Sequence, residues 1–168
     1  MTNRIFIYSL AAVFAAASAL ISPAALAQGK SQQNADGGPV IGNLSPQISR
    51  QLDCPLCSFQ LPSERRKRNG REIFVTDDTN NAAWINVDGK TIKIRLVNSK
   101  EPRGRERVGS KSSRSYEGSG VTVEVEMVTT KMCKPKDESC ESTDYSTAIT
   151  VTKSGRTRTV KTVGGCGC

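Results

Sequence analysis

The sequence AAWINVDGKTIKIRLV, residues 82–97, decides the fold. Asp88-Gly89 readily adopts the two positive φ angles of a type I′ turn, whose twist matches that of a β-hairpin. Apolar and polar residues alternate from Thr91 to Val97, and this period of two is typical of a strand with one buried face. Residues 82–87 and 91–97 are therefore predicted to form an antiparallel hairpin.

Similar signals continue on both sides of this hairpin. Residues 98–120 lack the period of two and are rich in Arg, Gly and Ser, so we expect a long exposed loop with a short extended piece around 114–117. Further strands are predicted at 57–61, 72–76, 121–130, 143–152 and 157–163. The sequence thus predicts an all-β domain, a small antiparallel barrel or sandwich of about seven to eight strands stapled by disulfides.

The N-terminal residues 1–27 have the three parts of a secretory signal peptide. Arg4 is followed by an apolar run, and Ala25-Leu26-Ala27 offers a cleavage site before Gln28. The alternative is an uncleaved anchor, although the run is shorter than the roughly 20 apolar residues that span a bilayer. We expect an exported protein, periplasmic or extracellular, whose mature chain has no transmembrane span.

After the signal peptide, residues 28–53 are predicted to be a flexible tether because they are rich in Gln, Asn, Gly and Ser. One short helical turn is expected within it, with Ser45 as N-cap and Pro46 at the first helical position. The stapled β domain is predicted to cover residues 54–168.

Six cysteines lie in the mature chain, which predicts three disulfides in an oxidising compartment. A Cys133–Cys140 bond would close the loop between two strands, and cross-pairing of Cys54 and Cys57 with Cys166 and Cys168 would join the two ends of the domain. Local 54–57 and 166–168 bonds remain an alternative, as do a zinc site and a redox role for the C-x-x-C spacing.

The chain offers few residues suited to catalysis, because it contains no His. This excludes Ser-His and Cys-His nucleophile pairs and His-ligated metals. The turn from Asp77 to Asn81 loosely resembles a calcium loop without its alternating spacing. We therefore expect no enzymatic activity and no cofactor.

The mature chain is basic, and its charge is concentrated in two places. Arg65 to Arg68 and Arg71 form one cluster, and the other occupies the long loop. Such clusters are either solvated loops or surfaces for anionic envelope polymers and lipid headgroups. Nucleic acid is not expected as a partner, because the protein is exported and few aromatic residues are available for stacking. The loop candidates for binding are Arg103, Arg105, Arg107, Lys111 and Arg114.

The order of these features resembles the membrane-bound and periplasmic C-type lysozyme inhibitor family. The resemblance lies in Cys57-Ser58-Phe59, Ile73-Phe74-Val75, the Asp77 to Asn80 turn, the hairpin around Asp88-Gly89, and Ser112-Ser113-Arg114-Ser115-Tyr116. It implies a small antiparallel barrel that inserts a motif loop into the active-site cleft of lysozyme. It also implies that Ser112 is the inserting residue and Tyr116 braces the loop, although Ser113 stands where the family motif has Gly.

Two functions follow as expectations. The first is an extracytoplasmic, non-enzymatic binding module related to the lysozyme inhibitors, with a lysozyme as partner. The alternative is an envelope-associated structural protein that binds anionic polymers through its basic loops. C-type lysozyme is itself basic, so it would repel a cationic inhibitory loop.

Overall fold

The computed structural model describes residues 37–52, 54–67, 69–133 and 140–167. The predicted signal peptide, the tether up to residue 36, Arg68 and Cys168 lie outside the described residues. Within the described part, no helix is long and apolar enough to cross a membrane. The elements are β1 (Ile41–Gly42), α1 (Pro46–Gln51), β2 (Cys57–Gln60), β3 (Glu72–Thr76), β4 (Ala82–Val87), β5 (Lys90–Lys100), β6 (Lys111–Gly118), β7 (Val121–Lys131), β8 (Thr143–Lys153) and β9 (Arg156–Cys166).

Strands β2 to β9 form a closed antiparallel barrel, which confirms the predicted fold class. Consecutive strands pair along the chain, and β2 pairs with β9 to close the ring. Every second side chain of a strand points to the same face, and the inward-facing side chains of these strands fill the interior. The largest fully buried apolar side chains are Phe59, Ile73, Phe74, Val75, Ile85, Ile94, Tyr116, Val123, Val125, Ile149 and Val151.

One end of the barrel, the turn end, is made of two-residue hairpin turns. Asp88-Gly89, Ser119-Gly120 and Ser154-Gly155 all have positive φ at both positions, as a type I′ turn requires. The first was predicted as a tight turn. The opposite end, the loop end, carries the turn 77–81, residues 101–110 and Gly167.

The prediction of a long exposed loop over 98–120 is wrong, except for the extended piece expected around 114–117, which lies within β6. β5 extends to Lys100, β6 runs from Lys111 to Gly118, and the rest consists of the loop 101–110 and the tight turn 119–120. The alternation in β6 is hidden because its inward positions include Ser112 and Arg114, and only Tyr116 among them reads as a core residue. Pairing with β5 and β7 satisfies the backbone of β6, so tertiary structure decides the outcome.

Residues 37–52 contact the barrel instead of only leading to it. β1 pairs with β4, and the amide of Leu44 donates a 2.7 Å hydrogen bond to the carbonyl of Glu72 in β3. β3 and β4 pair with each other only through residues 74–76 and 83–85. The segment lies beyond this short pairing and bonds to the end of β4 and the start of β3. Leu44 is buried, and α1 begins as predicted, with the Ser45 hydroxyl accepting a hydrogen bond from the amide of Gln47.

Two predicted disulfides are confirmed. Cys57 bonds Cys166 across the β2–β9 seam, and Cys133 bonds Cys140. The Cα atoms of the seam pair are 4.1 Å apart, as expected for a non-hydrogen-bonded pair in an antiparallel ladder. Cys54 is also disulfide-bonded, so neither cysteine of the C-x-x-C sequence is a thiol.

Candidate functional site

The loop between β5 and β6, residues 101–110, is named the basic loop. Its arginines lie side by side at the loop end, exposed to solvent. An open cleft of about 730 Å³ is lined by Pro102, Arg103, Arg105, Glu106, Arg107, Val108, Gly109, Ser110 and Lys111. The structure therefore brings together four of the five cationic candidates, and the fifth, Arg114, lies elsewhere.

The basic loop is fixed to the barrel through Glu106. One oxygen of its carboxylate accepts a 2.7 Å hydrogen bond from the Thr129 hydroxyl and a 3.0 Å hydrogen bond from the Tyr145 hydroxyl. Thr129 belongs to β7 and Tyr145 to β8, and both side chains lie on the inner face of the barrel. The basic loop thus leans across the mouth of the barrel at the loop end.

Backbone hydrogen bonds add to this anchor. The amide of Gly109 donates to the carbonyl of Thr129 at 2.8 Å, and the amide of Thr129 donates to the carbonyl of Ser110 at 3.0 Å. The Ser110 hydroxyl accepts from the amide of Arg107 at 3.0 Å. A loop held by this many bonds presents its cations in a fixed arrangement, which lowers the entropic cost of binding a ligand.

The arginines of the basic loop are available to bind a ligand. Arg103, Arg105 and Arg107 form no ion pair with any residue that the structure describes. In the other basic cluster, by contrast, Arg65 pairs with Asp144 at 3.3 Å and Lys67 with Glu64 at 2.5 Å. The basic loop is therefore the better candidate for an anion-binding surface.

Arg114 lies on the inner face of β6, and its side chain is only 16% exposed. Its guanidinium is 3.5 Å from the Cys57 sulfur and 3.6 Å from the Glu101 carboxylate. This places it beside the seam disulfide and beneath the mouth of the barrel. Arg114 is thus an internal cation of the loop end and does not share the exposed surface of the other candidates.

The two residues singled out by the family resemblance lie in β6, outside the basic loop. Ser112 pairs with Met127 of β7 and is half-buried. Tyr116 is 1% exposed and packs edge-on against Phe74, with ring centroids 5.4 Å apart. Burial raises the pKa of the Tyr116 hydroxyl, against the lowering effect of the nearby Arg114.

The candidate calcium loop forms an ordinary tight turn. The amide of Asn80 donates to the carbonyl of Asp77, and the Asp77 carboxylate accepts from the amide of Ala82. No group of three or more potential metal ligands lies together within the described residues.

Sequence reasoning missed the anchoring residues of this site. Neither Glu106 nor Tyr145 is among the site residues predicted from the sequence. Their contact joins positions 39 residues apart, so local sequence carries no signal for it. The one available hint was a single acidic residue between three arginines.

The Glu106 anchor makes a prediction about Tyr145. Burial first, then the hydrogen bond to Glu106 and its negative charge, raise the pKa of Tyr145 to about 12. In Glu106→Gln the pKa should fall but stay above the ordinary value of about 10, because burial remains. Titrating tyrosinate absorbance measures this, with Tyr145→Phe to assign the transition and the exposed Glu117→Gln as control.

The same shift has a consequence for stability. Folding raises the pKa of the Tyr145 hydroxyl, so the protonated hydroxyl stabilises the folded protein. This contribution to the free energy of unfolding is fully present below about pH 10 and is lost as the pH rises toward 12. The decline should be shallower in Glu106→Gln than in the wild type. An unchanged Tyr145 pKa in that variant would show that the contact with Glu106 is absent in solution.

No family model, curated protein or solved structure matches this chain.

Proposed function

We propose that this protein is an extracytoplasmic, non-enzymatic binding module that holds anionic molecules of the cell envelope through the basic loop. One observation carries the proposal. Arg103, Arg105 and Arg107 are exposed, form no ion pair with a described residue, and stand on a loop anchored to two strands. Arginine presents several donors in a fixed fork, which suits phosphate and carboxylate groups.

The export signal expected at residues 1–27 supports this proposal, because it would deliver the loop to a compartment rich in anionic polymers. The chain has no His, which leaves few groups for acid–base or nucleophilic chemistry near neutral pH. Both points favour binding over catalysis.

A second candidate is inhibition of a C-type lysozyme. Its supporting observation is that Ser112 lines an open groove of about 360 Å³, together with Lys100, Lys111 and Met127. Glu101 and Glu126 line the same groove and balance its two lysines, but the neighbouring arginines of the basic loop would repel a basic lysozyme. The charge of the loop end therefore favours an anionic ligand.

The test removes the three arginines together. Arg103→Ser, Arg105→Ser and Arg107→Ser should weaken retention on lipopolysaccharide or peptidoglycan by about 100-fold at low ionic strength, at about 1 kcal/mol per basic residue. Added salt should weaken the wild type much more than the variant, because salt screens exposed charges. Sedimentation with the insoluble polymer measures both effects.

A matched control removes the same charge far from the loop end. Lys90, Arg95 and Arg156 are exposed and lie toward the turn end, so their replacement by Ser should change retention little. Equal losses of retention in both triple variants would show that binding depends on net charge alone, and would contradict a site at the basic loop. Inhibition in a lysozyme turbidity assay without salt-sensitive retention would favour the second candidate.

A further inference from the structure

Val108 is the most exposed large apolar residue among those that the structure describes. Its exposure is 63%, and Val97 at 44% is the next. Scattered exposed apolar residues are common on protein surfaces, so exposure alone requires no explanation. The position of Val108 in the basic loop is what makes it informative.

A tight turn holds Val108 outward. The amide of Ser110 donates a 2.8 Å hydrogen bond to the carbonyl of Arg107, which closes a β-turn over 107–110. Gly109 has a φ of +88°, as the third position of a type II turn requires, so Val108 occupies the second position at the corner. A Cβ built on Gly109 would meet no atom within 4 Å, so this corner of the loop is open to solvent.

The anchors of the basic loop keep this corner in place. Gly109 and Ser110 hydrogen-bond to Thr129 directly after Val108, and Glu106 is bound to Thr129 and Tyr145 shortly before it. The valine therefore cannot turn inward toward the core without breaking those bonds. The hydrogen bonds of the basic loop therefore keep Val108 exposed.

Cations surround this apolar corner. Arg103, Arg105, Arg107 and Lys111 line the same open cleft as Val108. A soluble anionic polymer would pair with the cations and leave the valine in water. A lipid surface with anionic headgroups offers both partners, because phosphates lie in the headgroup plane and hydrocarbon begins just beneath it.

We propose that the anionic ligand of the basic loop is a lipid surface with phosphate headgroups, and that Val108 enters that surface between the arginines. The inference rests on the proposed function, since it assumes that the basic loop binds anions. It adds the identity of the partner and a residue for the apolar contact. The protein would dock peripherally, with the loop end facing the bilayer.

The experiment uses the oxidised mature chain and vesicles of phosphatidylcholine with or without phosphatidylglycerol. Val108→Asn should weaken binding to the anionic vesicles by about tenfold, because the apolar contact is lost. Retention of the same variant on a polyphosphate column should match that of the wild type. Val97→Asn is the matched control, because it removes an exposed valine from β5, and it should bind vesicles like the wild type.

A spectroscopic variant reports the insertion directly. Val108→Trp should show a blue shift in emission, beyond that of the wild type with Trp84 alone, only when phosphatidylglycerol is present. Brominated acyl chains should quench that emission.

The outcomes separate the inference from the function on which it rests. If Val108→Asn binds anionic vesicles like the wild type and Val108→Trp shows no shift, the lipid contact is refuted. If the triple arginine variant then still loses polyphosphate retention, the proposed function stands with a soluble polymer as ligand. If the triple variant keeps full binding to vesicles and to polyphosphate, both proposals fail.

Discussion

Loss of the Cys57–Cys166 disulfide should lower the free energy of unfolding by about 5 kcal/mol when no second bond joins the two ends of the domain. The bond links residues 109 positions apart, so it removes a large closure entropy from the unfolded chain. Alanine is the better replacement at both positions, because Cys57 is fully buried and a serine hydroxyl there would add a desolvation cost. The comparison is made with Cys54 and Cys168 already changed to Ala.

The seam that this bond crosses is a short one. β2 has only four residues, and it pairs with β9 where Gly164 and Gly165 contribute no side-chain contacts. Gly164 is needed there, because a Cβ would overlap the carbonyl oxygen of Ser58. The disulfide therefore stabilises a short seam that has few side-chain contacts of its own.

Denaturant unfolding of the oxidised proteins measures the effect, and the second disulfide provides the control. Cys133 and Cys140 are only seven positions apart, so the same model gives about 2.5 kcal/mol for Cys133→Ala with Cys140→Ala. The seam pair should thus cost about twice as much as the loop pair. Equal losses would argue against closure entropy as the source of stability.

The sequence was most informative where structure is local. The hairpin around Asp88-Gly89 and the start of α1 at Ser45-Pro46 follow from turn and capping chemistry that involves only neighbouring residues. Alternation was enough for β7 and for residues 91–97 of β5, because the inward positions there are nearly all apolar. Barrel closure required long-range pairing, and the cysteines at both ends of the domain were the one sequence feature that indicated it.

The strands that the sequence did not predict in full, β6 and β1, share a physical cause. Only the extended piece around 114–117 of β6 was predicted, because Arg114 occupies an inward position, where contacts with Glu101, the Cys57 sulfur and the Tyr116 hydroxyl stabilise it. β1 was missed because its polar surroundings conceal two residues, Ile41 and Leu44, that pack on the barrel. In both places the stabilising partner is distant in sequence, so composition gives a misleading answer.

For the candidate site, the sequence identified the charges but not their support. The basic cluster is visible as alternating arginines, and three of them do lie on one exposed loop. The hydroxyls that anchor Glu106 come from two other strands, and the role of Val108 depends on a turn whose hydrogen bond is set by Ser110. A cluster of charges is thus predictable from sequence, whereas its rigidity is a property of the folded barrel.

Tyr116→Ala should destabilise the protein by about 3–5 kcal/mol, the range for truncating a large buried aromatic side chain. The residue is 1% exposed, is the largest fully buried side chain in the described core, and contacts Phe74 edge-on. Tyr116→Phe keeps the ring and should cost only about 1 kcal/mol, because it removes a hydroxyl that interacts with Arg114. Denaturant midpoints of the two variants measure this difference.

The stabilities of Tyr116→Ala and Tyr116→Phe distinguish two causes for a loss of activity at Tyr116. A brace for an inhibitory loop would make Tyr116→Ala inactive but stable, whereas a core residue makes it inactive because it unfolds. Ser112→Ala is the companion variant, since this half-buried strand residue should change stability by less than about 0.5 kcal/mol. If Tyr116→Ala proved as stable as Ser112→Ala, the packing of β6 against the core would be wrong. If it unfolds as expected, a direct role of Tyr116 in binding is tested with Tyr116→Phe, the substitution at this position that leaves the barrel intact.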